Sequence, residues 1–349
     1  MTARKRTALV VAPGRGTYGK GELGSIARLH GACFGDLIAD FDAQRRARGQ
    51  PTVSELDGAD RFSVATHMRG DVAAPLIYTA TILDFLSIDR AAFDVVAVAG
   101  NSMGWYSALA CGGAVSAVDG FRIANAMGLN SQAHGPGGQI LLSVVDEGWR
   151  PVPGLRARLL ALVADITARP GHALALSIDL AGMLVFAGDD AGLAALLAEA
   201  PPTPGRDPLR LAGHGPFHTP LMVGSSDKAK AELPVSLFGR PALPLVDGCG
   251  HIWRRFASEP AMMWDYTFGH QILAPYDFAL SVQVAVREYA PNVVILPGPG
   301  DTLGGAIAQA LIGIGWQGIA SKADFAARQK ADPILLSMGR AEQRGLVTG

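Results

Sequence analysis

The chain has 349 residues, 49% of them hydrophobic and 17% charged, and carries a net charge of −1. This suits a globular protein of one large or two modest domains, and the near-neutral charge without a basic block argues against nucleic acid or an anionic membrane as the main partner. The apolar run after Arg4-Lys5-Arg6 is too short for a signal segment, no stretch is long enough to span a bilayer, and Cys33, Cys111 and Cys249 show no metal-ligand spacing. A reduced cytoplasmic protein with small buried cysteines and no metal is expected.

Residues 7–12 are β-branched and apolar, and Pro13-Gly14-Arg15-Gly16 ends them, which reads as a buried strand running into a glycine loop. Gly14, Gly16 and Gly19 spell G-x-G-x-x-G with Asp36 downstream, the outline of a dinucleotide-binding fingerprint. In that arrangement the acid ends a second strand, whereas Leu29, Phe34, Leu37, Ile38 and Phe41 have helical spacing, so the fingerprint stands alone. Residues 43–71 are polar and read as a helix end, a loop and a short helical segment. A helix over 76–86 is then expected, opened by Pro75 near its first position.

The apolar run 95–99 breaks at Gly100-Asn101-Ser102-Met103-Gly104, and helix formers follow from Trp105. Strand, tight turn and helix is the context of a nucleophile elbow. The turn exposes the Ser102 hydroxyl, and the flanking glycines let strand and helix approach. The Met103 amide then sits at a helix N-terminus, where an oxyanion is stabilised. A glycine-rich turn with an inert serine would share the pentapeptide; the elements on either side favour a catalytic serine.

A helix over 118–132 comes next, and Gly135-Pro136-Gly137-Gly138 marks a composition break. Strand 139–145, helix 155–168, strands 173–180 and 183–187 and helix 191–199 follow in a β-α-β-β-α order that resembles a split β-α-β unit, with 209–212 as a closing strand after the proline-rich link 201–208. This predicts a small ferredoxin-like α+β subdomain over 135–212, inserted into a large α/β domain formed by 1–134 and 213–315. Gly213-His214-Gly215-Pro216-Phe217-His218 brings the chain back, and a serine nucleophile needs a base from such a junction loop. His251 and His270 are further candidates. Strand 292–296, the Pro297-Gly298-Pro299-Gly300 loop and a helix over 306–312 again indicate a parallel sheet with loops converging at one edge. Residues 316–349 read as a tail with a polar helix over 322–329 and a mobile end.

These segments together resemble the malonyl-CoA:acyl carrier protein transacylases and the acyltransferase domains of polyketide synthases. APGRGTYG is similar to that family's FPGQGSQ loop, GNSMGWYSALACGGAVS to its GHSLGEYSALVAAGALS elbow and helix, and GPFHTPLM to its SGAFHSPLM segment. HQILAPYDF is similar to its Q-x-x-x-P-V-x-W/F segment and GPGDTLGG to its GPGKVLTGL loop. The five run in family order up to about residue 312. The resemblance implies a parallel-sheet α/β-hydrolase-like large domain with a ferredoxin-like insert. It implies Ser102 as acyl-accepting nucleophile and His218 as general base, the histidine oriented by a backbone carbonyl that falls on Gln271. The oxyanion hole would be the backbone amides of Met103 and Arg15, and a main-chain donor tolerates arginine in place of the family's glutamine.

Three positions depart from the family. Its malonyl-selective members carry an arginine that pairs with the malonyl carboxylate where this chain has Met127, before Gly128. A carboxylate facing a thioether would stay unpaired. Arg122 should point off the pocket side of that helix. Ala74 replaces a glutamine before Pro75, and Asn101 replaces the histidine before the nucleophile. The resemblance therefore implies an acyltransferase that moves a non-malonyl acyl group from a CoA or carrier thioester, through acyl-Ser102, to the phosphopantetheine thiol of an acyl carrier protein. No permanently bound cofactor is implied, since acyl-CoA and phosphopantetheine are substrates. An acyl-thioester hydrolase and a non-catalytic carrier-binding homologue are the alternatives.

Overall fold

The computed structural model describes residues 5–131, 137–203 and 207–349. Its strands are β1 (Arg6–Ala12), β2 (Phe93–Gly100), β3 (Gly138–Ser143), β4 (Leu174–Asp179), β5 (Met183–Gly188), β6 (Leu209–Arg210), β7 (Leu245–Val246), β8 (Ile252–Trp253), β9 (Tyr276–Asp277), β10 (Val293–Leu296) and β11 (Leu335–Ser337). They form a six-stranded sheet in the order β11-β10-β1-β2-β7-β8 and a five-stranded sheet in the order β6-β3-β5-β4-β9. In the first, every pairing but the terminal β7–β8 hairpin is parallel. The molecule is thus an α/β-hydrolase-like parallel sheet with a ferredoxin-like subdomain.

A parallel sheet is covered on both faces, so its central strands are apolar throughout rather than alternating. Ala8 to Ala12 are fully buried. Ala8, Val10, Val98 and Ile295 point into one core, while Leu9, Val11, Ala99 and Leu296 point into the other. The small sheet is divided in the same way. Ile140, Leu142, Leu184 and Phe186 pack on its helices, Leu155–Thr167 and Asp190–Glu199. Leu141, Ile178 and Val185, one residue out of phase, face the large sheet. The two sheets thereby enclose a cavity at the carboxyl ends of β1, β2 and β10, where the loops after parallel strands gather.

The large domain's helices pack tightly at glycine. A Cβ on Gly128 of the Ala117–Asn130 helix would lie 2.5 Å from the carbonyl of Gly70 in the facing helix, Gly70–Leu86. That helix does not open at Pro75; the proline is inside it. Proline cannot donate to the carbonyl four residues back. The carbonyl it leaves free, Asp71 O, accepts instead from Arg45 Nη1 at 2.9 Å. Arg45 is fully buried near the end of a long first helix, Ser25–Arg46, the helix end expected at the start of the polar segment 43–71.

The end of the chain is built in, contrary to the mobile end expected. β11 pairs parallel with β10, and the Ala341–Thr348 helix buries Val347 completely. The polar helix Lys322–Ala331 hides from a composition reading the apolar Ile334-Leu335-Leu336 that follows it. Cys111 is buried, but Cys33 and Cys249 are exposed, against the expectation of three buried thiols. The division expected at residue 134, His134 itself and part of the 201–208 link lie outside the described residues. No described helix is long and apolar enough to cross a membrane.

Candidate active site

β2 ends at Gly100, and the helix Gly104–Cys111 starts four residues later. The turn between them is so tight that a Cβ on Gly100 would lie 2.3 Å from Gly104 O, and a Cβ on Gly104 would lie 2.3 Å from Ala12 O. Between these glycines Ser102 has φ +53°, a left-handed conformation that a non-glycine residue adopts at a cost. Asn101 N donates to Ala12 O at 3.0 Å and Trp105 N to Ser102 O at 2.9 Å, which fixes the elbow against β1.

Ser102 Oγ lies 2.7 Å from His218 Nε2. His218 Nδ1 lies 2.7 Å from the backbone carbonyl of Gln271. A carbonyl only accepts, so Nδ1 carries the proton and Nε2 is left as the acceptor for the serine hydroxyl. The imidazole is fully buried and is itself held at φ +63° by a bond from its amide to Ile272 O at 2.8 Å. Burial lowers its pKa to about 4, opposed by the hydrogen bond to Gln271. The ring is therefore neutral near pH 7, the form that takes up a proton. Tyr276 packs against it with ring centroids 5.5 Å apart and donates to Gly100 O at 2.6 Å.

The cavity in front of Ser102 has a volume of about 490 Å³. Arg15, Ala74, Asn101, Ser102, Met103, Met127 and Gln271 all line it, while Leu141, Ile178, Met183 and Val185 bring the small sheet's apolar face to the opposite wall. Neither the Met103 nor the Arg15 amide donates to a protein acceptor among the described residues, so both remain available to an oxyanion. Met127 is 2% exposed and gives this wall a thioether. Arg122 reaches Glu232 O at 3.4 Å, away from the cavity.

Other expected candidates fall elsewhere. His214 lines the cavity, but its Nδ1 faces Ala212 O at 3.0 Å, and burial lowers its pKa to about 3, with nearby Arg15 adding to the shift. His270 Nε2 lies 3.0 Å from Cys249 Sγ, and His251 stacks edge-on against Trp253. Asp36 is exposed within the first helix rather than at a strand end, so the glycine fingerprint lacks its ribose acid. Sequence reasoning missed two supports. Gln271 Nε2 donates to Ser102 O at 3.0 Å, and Tyr106 donates to Gln271 Oε1 at 3.3 Å. Tyr106 lies in the first turn of the helix that follows the elbow, and no residue-type signal marks it or Gln271.

Fold and site define an α/β protein with a serine–histidine pair at a nucleophile elbow, roofed by a ferredoxin-like subdomain. Solved structures of the same fold include an acyl-carrier-protein S-malonyltransferase from Burkholderia pseudomallei, 21% identical, covering 98% of each chain with a TM-score of 0.74. A malonyl-CoA:ACP transacylase from Synechocystis is 18% identical, covers 98% of this chain and all (100%) of its own, and has a TM-score of 0.73. A malonyl-transacylase in complex with its type II polyketide synthase acyl carrier protein is 18% identical, covers 97% of each chain and has a TM-score of 0.69. No protein-family model matches the sequence, and no curated protein matches it.

Proposed function

We propose that this protein is an acyltransferase. It takes an acyl group from a CoA or carrier thioester onto Ser102 and passes it to the phosphopantetheine thiol of an acyl carrier protein. The observation that carries the reading is the relay from Ser102 Oγ through His218 to the Gln271 carbonyl, two contacts of 2.7 Å each in a buried setting. His218 Nε2 takes the hydroxyl proton as Oγ bonds to the thioester carbon. The oxyanion is held by the Met103 and Arg15 amides. The C–S bond then breaks, and the thiolate leaves with the proton from His218. In the second half the incoming thiol gives its proton to His218, attacks the acyl-serine carbonyl and restores the Ser102 hydroxyl. CoA and phosphopantetheine enter as substrates, and no resident cofactor takes part in these steps.

Two observations support this choice of partner and acyl group. A structural relative, matched over 97% of each chain, is solved with its carrier protein bound. Met127, in place of the family's arginine, favours acyl groups other than malonyl. The test is to load the enzyme with an acyl thioester and follow its discharge. Faster discharge by a carrier-protein thiol than by buffer is expected; rapid loss to water that no carrier accelerates would make the protein a thioester hydrolase.

A further inference from the structure

Arg15 contributes more to the cavity than an amide. Its Nη2 donates to Met68 O at 2.6 Å, while Nε and Nη1 are buried and have no partner among the described residues. The carboxylate that acts on it electrostatically, Asp71, is already engaged by Arg69, whose Nε and Nη2 reach its two oxygens at 3.0 and 2.8 Å. Burial lowers the Arg15 pKa to about 10, with Asp71 opposing, so the group remains a cation at neutral pH. Arg210 also lines the cavity but is paired with Asp190 at 2.7 Å, and His214 is neutral. Arg15 lines the cavity, and a cation whose donors are buried and without partners gains most from an anion.

The guanidinium also has a definite place. The Arg15 amide is an oxyanion donor in the proposed mechanism, while its side chain extends to Met68 O, with Nη2 3.5 Å from where a Cβ on Gly213 would lie, on the loop leading to His214. The charge thus lies at the opposite end of the Arg15 side chain from that amide. Ala74 and Met127, which also line the cavity, carry no charge.

We propose that the Arg15 side chain binds a carboxylate at the far end of the acyl group. The site's substrate class is then an ω-carboxyacyl thioester with more than one carbon between its two carboxyl carbons, such as succinyl or glutaryl. This rests on the acyltransferase reading above and gives that reading its acyl group. It also reconciles the missing arginine at Met127 with a charged cavity: the anion is read from the glycine loop after β1.

The experiment compares pairs of thioesters matched in shape and differing in charge, using intact-protein mass to measure initial loading of Ser102. The pairs are succinyl with 4-methylpentanoyl, glutaryl with 5-methylhexanoyl and malonyl with 3-methylbutanoyl, each as CoA and as N-acetylcysteamine thioesters. Wild type should load succinyl or glutaryl about ten- to a hundredfold faster than its neutral partner, the range for a charge-assisted contact, with no such ratio for malonyl. Arg15→Met should bring the ratio close to one, and Arg15→Lys should keep part of it. The neutral member of each pair reports that the fold and the serine survive. A ratio unchanged in Arg15→Met, or a preference for malonyl over succinyl in wild type, overturns the proposal. So does an Arg15→Met defect confined to CoA thioesters and equal for both members of a pair, which would assign the guanidinium to a phosphate of the donor. If no thioester loads at all, the acyltransferase reading itself fails.

Discussion

At the residue scale, the proposed acyl transfer rests on the state of one imidazole. His218 is buried without a carboxylate partner, so its charged form gains nothing beyond the Gln271 carbonyl, and its pKa falls to about 4. The sign follows directly. Above that value the ring is neutral and accepts the Ser102 proton; below it Nε2 is already protonated and cannot. Ser102 loading should therefore hold from neutral pH down to the region of pH 4 and fall below it, and a midpoint near 6.5 would contradict the buried geometry. His218→Ala should slow loading by roughly two to four orders of magnitude, the range for losing a general base. If His214→Ala or His270→Ala slows it more, the base is misassigned.

At the scale of the element, the elbow depends on the absence of side chains on either side of the serine. Gly104 sits so close to β1 that a methyl group would meet Ala12 O at 2.3 Å and Pro13 O at 2.8 Å. Backbone atoms cannot swing aside as a side chain can. Gly104→Ala should lower stability by about 1 to 3 kcal/mol, the cost of overpacking, and should move the Met103 amide enough to slow acyl loading. Urea denaturation together with a loading time course checks this; wild-type values for both would show that the elbow tolerates the strain. Legibility from sequence divides along the same line. The elbow was readable because a strand, G-x-S-x-G and a helix are contiguous. The relay from His218 to Gln271 was reachable only through resemblance, because a carbonyl leaves no residue-type signature. The Arg15 guanidinium, with its unused donors, was not readable at all, since only folding decides which partners a side chain finds.

At the scale of the whole molecule, distant segments are tied together at one buried carboxylate. Asp84, 1% exposed, is 2.9 Å from His30 Nε2, accepts from Gly298 N at 2.6 Å and pairs with Arg344. The first helix, the cavity helix Gly70–Leu86, the loop after β10 and the final helix thus meet at a single side chain. Arg344→Ala leaves that carboxylate short of a donor and should cost about 1 to 3 kcal/mol. A lowered urea midpoint with an unchanged slope checks it, whereas an unchanged midpoint would mean the end of the chain contributes little. The sequence reading missed this because it judged residues 316–349 by composition, and the two apolar residues of an edge strand carry little weight among polar neighbours. Central strands were legible since both of their faces are buried, which makes them continuous apolar runs. Four strands of the small sheet were legible through their order, but β9, which comes from outside residues 135–212 and pairs parallel with β4, was not.

The most direct test of the central claim, an acyl-Ser102 intermediate that passes to a carrier, is intact-protein mass on wild type and Ser102→Ala. Each is mixed with a panel of acyl thioesters and then with a holo acyl carrier protein. Wild type should gain the mass of one acyl group per chain and lose it to the carrier faster than to buffer, while Ser102→Ala should gain nothing. An adduct undiminished in Ser102→Ala, or no adduct on wild type from any thioester, would contradict it.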